Sequence, residues 1–255
     1  MTDARVSIGV AGVLGPDAIG RIARAVEAAG FHALWVNDTP GGDALAALAA
    51  AAKVTERLVL ATGVIAVDRR PVASLTGPIA SLPQERLVLG IGSGQARAGA
   101  LALVTDAAVR LREQTAARVL VGALGPRMRE VAVTAGQGPL LSWLTPDIAA
   151  AQAAEAHGVS ADAHVALYVR TAVDAAAGPK LQTEVDRYAS YPNYRANFDR
   201  LGIAAAGTVL DADTFGTGVA EYRAAVDEVV LRAIVAGDDV EDYVSFVQAA
   251  ARLAE

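Results

Sequence analysis

The feature that most constrains the fold of this chain is an alternation that runs along its whole length. Short runs of β-branched and other apolar residues are separated by alanine-rich stretches with helical periodicity. The predicted strands cover residues 5–12, 32–38, 57–66, 86–94, 117–125, 138–145, 164–173 and 227–236. Helices that connect such strands pack on the faces of a parallel sheet. Eight strand and helix pairs in 255 residues predict an α/β fold, a closed (β/α)8 TIM barrel, with a doubly wound open sheet as the alternative.

The alternation also predicts one domain over residues 1–255. No linker of domain-boundary length, rich in Gly, Pro or Ser, interrupts it. The seventh unit is the longest, because two helical stretches, residues 181–202 and 214–226, precede the last strand.

Composition excludes several classes of protein. The absence of cysteine excludes disulfides, thiolate nucleophiles, iron–sulfur clusters and cysteine zinc sites. A net charge of −6 argues against a general nucleic-acid or membrane surface. No apolar run reaches the ~18 residues of a membrane span, and the start of the chain does not resemble a signal peptide, so we expect a cytoplasmic protein. Only Lys53 and Lys180 are lysines among 22 basic residues, which is typical of GC-rich genomes such as those of actinobacteria.

The loops after the strands should hold the functional residues, because all strands of a barrel end at one face. Polar, aromatic, proline or glycine residues at these predicted strand ends are Asn37, Asp38, Thr39, Thr62, Gly63, Asp68, Arg69, Arg70, Gly92, Ser93, Gln95, Gly125, Pro126, Arg127, Ser142, Trp143, Thr145 and Arg170.

Histidine and lysine are missing from this set. His32 and His164 begin predicted strands and therefore face the opposite end of the barrel, and His157 lies near the end of a helix. Lys53 and Lys180 fall on predicted helices. These positions argue against a histidine-based metal site and a Schiff-base lysine, so we predict no metal. A bound cofactor that brings its own reactivity would supply the chemistry.

Arginines near the strand ends predict an anionic ligand, although loop arginines are also ordinary solvated charges. They are Arg69, Arg70, Arg97, Arg127, Arg170 and Arg232. In the segment GALGPRMREV, Gly125 ends a strand, Pro126 suits the first helical position, and Arg127 stands beside the helix start. Backbone amides at such a start, next to an arginine, predict a phosphate site.

Six segments, spread in order over nearly the whole chain, resemble the luciferase-like family of flavin- and deazaflavin-dependent oxidoreductases. They are LWVND, LATGVI, RLVLGIGSG, VGALGPRM, LLSWLTP and YASYPNYRANFDRLG. The resemblance implies a (β/α)8 barrel that binds the deazaflavin coenzyme F-420, or alternatively FMN, at the C-terminal face. It also implies a non-prolyl cis peptide at Gly63 and Val64, in a bulge of the third strand.

The resemblance assigns the cofactor to residues of these segments. Gly92, Ser93 and Gly94 would lie near the ring or the ribityl chain, and Gly125, Pro126 and Arg127 would bind the phosphate. The full implied set is Asn37, Thr62, Gly63, Val64, Gly92, Ser93, Gly94, Gly125, Pro126, Arg127 and Met128.

The chain departs from the sugar-phosphate dehydrogenases of the family. Those enzymes carry Asp-His after the second strand and a glutamate after the fourth-strand glycines, whereas this chain has Asp38 followed by Thr39, and Gln95. That specific activity is therefore not expected. Asp38 is the candidate catalytic proton handler, with capping of the next turn as an equal alternative.

Two aromatic features have two interpretations each. Trp143 is a candidate catalytic-site residue that stacks on substrate or cofactor, or else a core tryptophan. Tyr188, Tyr191, Tyr194 and Phe198 have near-helical spacing, which favours a helix-docking stripe, while Tyr191 or Tyr194 would alternatively wall the pocket.

The sequence thus predicts an oxidoreductase that transfers a hydride between F-420, or FMN, and a small organic substrate. Two alternatives remain. One is a cofactor-free isomerase or lyase barrel that binds a phosphate ligand, for which Asp38 and Asp68 are the available acids, and the other is a non-catalytic flavin-binding or partner-binding relative. Insertions are reduced, since the fourth loop reaches its helix within a few residues. The pocket is then either open or completed by a second subunit of a homodimer.

Overall fold

The computed structural model describes residues 4–253 and confirms the closed barrel. All neighbouring strands are parallel, and β1 pairs with both β2 and β8, which excludes the open sheet. The strands are β1 Arg5–Ala11, β2 Ala33–Asn37, β3 Val59–Ala66, β4 Leu87–Gly92, β5 Arg118–Gly122, β6 Pro139–Ser142, β7 Ala166–Thr171 and β8 Glu228–Ala233.

Helices follow every strand. They are α1 Gly15–Ala28, α2 Ala44–Ala52, α3 Val72–Ala80, α4 Ala100–Gln114, α5 Pro126–Thr134, α6 Pro146–Val159, α7 Gly178–Ser190, α8 Pro192–Leu201, α9 Phe215–Ala225 and α10 Val240–Leu253. None of those within residues 4–253 has both the length and the apolar character of a bilayer-spanning segment. Lys180 lies on α7 as predicted, but Lys53 directly follows α2, which ends at Ala52.

Each strand lies inside its predicted range but is shorter. Strand β6 ends at Ser142 because the next residue, Trp143, has a φ of 60° and leaves the extended conformation. Trp143 therefore belongs to the loop at the C-terminal end of the barrel.

Alternate side chains of the strands pack in two layers of the core. One set, which includes Ile8, Leu34 and Leu89, packs outward against the helices. The other set fills the barrel interior and consists of Ala33, Trp35, Ala61, Leu120, Leu140, Ala166, Tyr168 and Val230. Residues two positions further along the same strands therefore point into the C-terminal mouth.

A buried carboxylate closes the N-terminal floor of the barrel. Glu228 accepts hydrogen bonds from Ser7 Oγ at 2.6 Å, Trp35 Nε1 at 2.6 Å and His164 Nε2 at 2.8 Å. Burial raises the pKa of Glu228, but these hydrogen bonds and the attraction of His164 outweigh it and hold the pKa below its usual value. His164 is thus a structural residue of the floor, at the end of the barrel that the sequence predicts.

Candidate active site at the barrel mouth

A cavity of about 1070 Å³ occupies the C-terminal mouth of the barrel. Strand ends from β2 to β7 form its floor, and α7 and α8 form one wall. Its lining includes Asn37, Asp38, Gly63, Val64, Gly92, Ser93, Gly94, Arg97, Gly122, Gly125, Met128, Ser142, Tyr168, Arg170, Tyr188, Tyr191, Tyr194, Asn197 and Arg200. Most residues of the predicted cofactor set are therefore brought together here.

A bulge in β3 shapes the floor. The pairing of β3 with β4 shifts between Thr62 and Ile65, and the Gly63–Val64 peptide is cis, as the resemblance implies. Asn37 Nδ2 donates a hydrogen bond to the Gly63 carbonyl. Thr62 is fully buried behind the bulge, where its hydroxyl donates to the Gly90 carbonyl at 3.0 Å, and it does not line the cavity.

The glycines of β4 and the following turn make room for that bulge. A Cβ at Gly90 would overlap the Thr62 carbonyl oxygen, and one at Gly92 would lie 2.9 Å from Val64 Cγ2. Gly94 has a φ of +60°, and a Cβ there would overlap the Asp68 carboxylate. The backbone of Gly92 and Gly94 is consequently bare toward the cavity.

Asp38 lines the cavity, but its carboxylate is already fully bonded. Oδ1 accepts from Arg70 Nη1 at 2.7 Å and from the Ala44 amide at 3.1 Å, and Oδ2 accepts from Arg69 Nη2 at 2.7 Å. The Ala44 bond satisfies the first backbone amide of α2, beside the N-cap Asp43, which accepts from the Leu45 and Ala46 amides. This geometry favours the capping interpretation over the catalytic one, and Asp38 and Asp43 together balance the charges of Arg69 and Arg70.

Only part of the predicted phosphate site, at the start of α5, lines the cavity. Gly125 and Met128 line it, whereas Pro126 and the Arg127 side chain are exposed and lie outside the lining. Arg200 of α8 is on the cavity side instead, where Nη2 donates to the Leu124 carbonyl at 3.2 Å.

Trp143 lies behind the cavity wall. It is 1% exposed and absent from the lining, and its ring centroid is 4.7 Å from that of Tyr188 and 6.1 Å from that of Phe198. Phe198 packs in the same small core cluster, as the helix-docking stripe predicts. Tyr188, Tyr191 and Tyr194 all line the cavity, so the stripe also supplies the pocket wall.

Three site residues were not singled out from the sequence. Tyr168 precedes Arg170 by two positions on β7, and this period-2 spacing is a signal that both face the mouth. Asn197 and Arg200 carry no comparable signal, because their placement depends on how α8 folds back over the barrel. No cluster of metal-binding side chains occurs among residues 4–253.

Comparison with known proteins confirms the family resemblance. Residues 2–99 match the family model of luciferase-like monooxygenases. No curated protein matches the chain.

Solved structures share the fold over almost the full length of both chains. The coenzyme F-420-dependent tetrahydromethanopterin reductase from Methanopyrus kandleri has a TM-score of 0.72 at 15% identity, with 96% of this chain and 97% of that chain covered. An F-420-dependent secondary alcohol dehydrogenase, in complex with an F-420–acetone adduct, has a TM-score of 0.75 at 13% identity, with 97% of this chain and 98% of that chain covered. The FMN-bound oxygenating constituent of 3,6-diketocamphane monooxygenase from Pseudomonas putida has a TM-score of 0.69 at 12% identity, with 98% of each chain covered.

Proposed function

We propose that this luciferase-like barrel is an oxidoreductase that binds F-420, or alternatively FMN, in the mouth cavity and transfers a hydride to or from a small organic substrate. The observation that carries the proposal is the cavity itself. It has the volume for a tricyclic ring beside a small substrate, and it is floored by bare glycine backbone. The family match and the F-420- and FMN-dependent enzymes of the same fold support it.

The polar groups of the wall fit such a ligand. Asn37 Oδ1, the Tyr168 hydroxyl and Asn197 Nδ2 line the cavity, are buried, and have no hydrogen-bond partner within residues 4–253. Buried polar atoms in proteins nearly always have partners. A ligand with both donors and acceptors would satisfy all three.

Two parts of the wall would hold the cofactor. Gly63, Val64 and Gly92 would lie against the ring, and the α5 start at Gly125, with Arg127 outside and Arg200 inside, would bind the phosphate. The bound deazaflavin or flavin would supply the two-electron chemistry that the protein side chains lack.

The protein's own groups then act as hydrogen-bond donors. Burial raises the pKa of Tyr168 well above its ordinary value, and burial together with Tyr188 raises the pKa of Tyr194 to about 12. Both phenols are therefore protonated at neutral pH. They would donate to an oxygen of the substrate, which favours a carbonyl or alcohol at the reacting centre.

The remaining alternatives are weakened to different degrees. A cofactor-free isomerase would need Asp38 or Asp68, but Asp38 is ion-paired twice and Asp68 Oδ2 accepts the Gln95 amide at 2.8 Å. A non-catalytic cofactor-binding relative is the second candidate, and the engaged Asp38 is the observation that favours it. A homodimer stays a prediction, to be measured by light scattering after size-exclusion chromatography.

A calorimetric titration with F-420 and FMN tests the proposal. We expect micromolar or tighter binding of one of them to the native chain. Gly122→Leu should abolish it, because that side chain enters the floor next to Val64. Gly158→Leu, at an exposed position on α6, is the control and should bind normally. Binding of neither cofactor below millimolar concentration, or equal binding by Gly122→Leu, would overturn the proposal.

A further inference from the structure

A buried cation of the mouth cavity has no ion-pair partner among residues 4–253. It is Arg170, near the end of β7, which is only 8% exposed and whose buried Nε and Nη1 have no hydrogen-bond partner in the part of the chain that the structure describes. Its guanidinium carbon lies 4.3 Å from the Trp143 ring centroid and 4.7 Å from that of Tyr188. The two rings stabilise the face of the cation, but they leave its N–H groups unsatisfied.

Other arginines of this region either form ion pairs or, like Arg97 and Arg200, are exposed to solvent. Arg69 and Arg70 share Asp38, and Arg187, which also lies over Tyr188, pairs with Glu184. In contrast, no carboxylate of residues 4–253 lies within ion-pair distance of Arg170.

A second cation stands beside it. Arg232 of β8 is in register with Arg170, so both side chains point to the interior of the barrel, and Arg232 forms no direct ion pair in the described part of the chain, where Glu184 attracts it only at longer range. Arg232 Nη1 donates only to the Ala233 carbonyl, at 2.5 Å. Burial lowers the pKa of Arg232. Two neighbouring guanidinium groups that repel each other and form no direct ion pair are costly to bury unless an anion joins them.

The anion at this position differs from the cofactor phosphate. The proposed phosphate site lies after β5, at Gly125, whereas Arg170 lies near the end of β7, and β6 separates the two strands. Aromatic rings surround the Arg170 side of the cavity: the centroids of Tyr188 and Tyr194 are 4.8 Å apart, and those of Tyr188 and Tyr191 are 5.3 Å apart.

We propose that Arg170 binds the carboxylate of a small aromatic organic acid, and that this acid is the substrate class of the enzyme. That the acid is a substrate rests on the proposed oxidoreductase function, whereas the binding of its carboxylate by Arg170 does not. Arg170 is the anion-binding residue, because a planar guanidinium pairs with a carboxylate through parallel N–H donors. The tyrosine rings pack against the aromatic body. Trp143 is a positioning residue: its left-handed backbone places the indole under the guanidinium.

Calorimetry with benzoate and its neutral analogue benzamide tests this site. We expect the native chain to bind benzoate at least about tenfold more tightly than benzamide, as a charge-assisted pair requires. Arg170→Met should remove that preference while keeping benzamide affinity. Arg195→Met makes the same change of charge at an exposed position of α8 outside the cavity lining, and it should keep the preference. If Arg170→Met does not fold, Arg170→Gln replaces it, with the same expectation.

The outcomes separate this proposal from the proposed function. Equal binding of benzoate and benzamide by the native chain, or a preference that survives in the Arg170 variant, overturns the carboxylate site. A variant that loses FMN affinity but keeps riboflavin affinity also overturns it, because Arg170 would then contact the cofactor phosphate. A native chain that prefers benzoate but binds neither F-420 nor FMN supports the carboxylate site and contradicts the oxidoreductase.

Discussion

At the residue scale, the three glycines of the segment RLVLGIGSG have separate physical reasons. Gly90 faces the carbonyl of Thr62, Gly92 faces the side chain of Val64, and Gly94 combines a positive φ with the nearby carboxylate of Asp68. The sequence predicts that a ligand lies close to this backbone. It does not predict that the bulge in β3 fills part of the space, since the partner of each glycine is known only from the fold.

Gly90→Ala should destabilise the chain by about 3 kcal/mol, because the methyl group collides with backbone that has no alternative position. Chemical denaturation at neutral pH measures the loss. The control is Gly158→Ala on α6, where nothing lies within 4 Å of the new Cβ, and it should be neutral or up to about 1 kcal/mol stabilising. A Gly90→Ala chain as stable as the native one would mean that the β3 bulge is wrongly placed.

Asp38→Asn distinguishes a structural from a catalytic role. The amide keeps the acceptor for Ala44 but removes the charge between Arg69 and Arg70, so we expect a loss of about 2 kcal/mol in unfolding free energy. Thermal or denaturant unfolding gives this value. A variant with native stability and abolished turnover would instead restore Asp38 as the proton handler.

The sequence predicts the position of Trp143 along the chain of strands and loops, but not the orientation of its side chain. The sequence predicts that this aromatic residue lies at the C-terminal face of the barrel, and Trp143 directly follows β6 there. Whether it contacts the ligand depends on the backbone φ of one residue, 60° here, and this turns the indole behind Arg170. No local pattern encodes that angle.

At the scale of elements, α5 and α8 together form the proposed phosphate site. The sequence predicts the α5 start from Gly125 and Pro126, and the structure places Gly125 at the cavity. It could not predict Arg200, because α8 reaches the β5 loop only through its fold over the mouth, where Arg200 donates to both Leu124 and Asn197.

FMN carries a phosphate that riboflavin lacks. A comparison of the two ligands therefore measures how much Arg200 and Arg127 contribute to phosphate binding. Arg200→Ala should weaken FMN binding about tenfold, and Arg127→Ala, which acts from the exposed side, about threefold. Riboflavin affinity should not change in either variant. Fluorescence quenching of the flavin measures all affinities. Equal losses for FMN and riboflavin would place the phosphate elsewhere.

The seventh unit acts as the cover of the pocket. Its length and its tyrosines are visible in the sequence, and the predicted alternatives of a docking stripe and a pocket wall are both realised. Phe198 packs inward, while Tyr188, Tyr191 and Tyr194 face the cavity. With seven residues between β4 and α4, the fourth loop adds little to the cover.

At the scale of the whole molecule, the barrel separates an end that a buried hydrogen-bond network closes from an end that holds the large cavity. The N-terminal end holds the buried hydrogen-bond network of Glu228 and His164. The C-terminal end holds the glycines of the cavity and Arg170, which forms no ion pair among residues 4–253. The order of strands and the closure follow from the repeated strand and helix pattern. The sequence predicts only part of the residues that line the cavity, because their placement depends on contacts between residues far apart in the chain.

The Glu228 network predicts the pH dependence of stability. The pKa of Glu228 is lower in the folded chain than in the unfolded chain, so its contribution is complete above the unfolded-state pKa and is lost as the pH falls through the folded-state pKa. Glu228→Gln should cost about 3 kcal/mol at neutral pH and should flatten the acid side of the stability curve. Denaturation at a series of pH values measures both effects.

The surface variant Glu241→Gln is the matched control for this series. Glu241 pairs with Arg21 in an exposed ion pair, so its loss should leave the acid-side curve nearly unchanged. Parallel acid-side curves for the native and Glu228→Gln chains would show that the floor carboxylate does not control stability.

A crystal structure of the chain grown with F-420 tests the central claim most directly. We predict the deazaflavin ring at the barrel mouth against Gly63, Val64 and Gly92, with its phosphate at the start of α5 and the Arg170 side of the cavity left for substrate. Cofactor bound outside the mouth, for example in the smaller cleft between α3 and α4 near Gln114, or a mouth that stays empty at saturating F-420, would contradict the account.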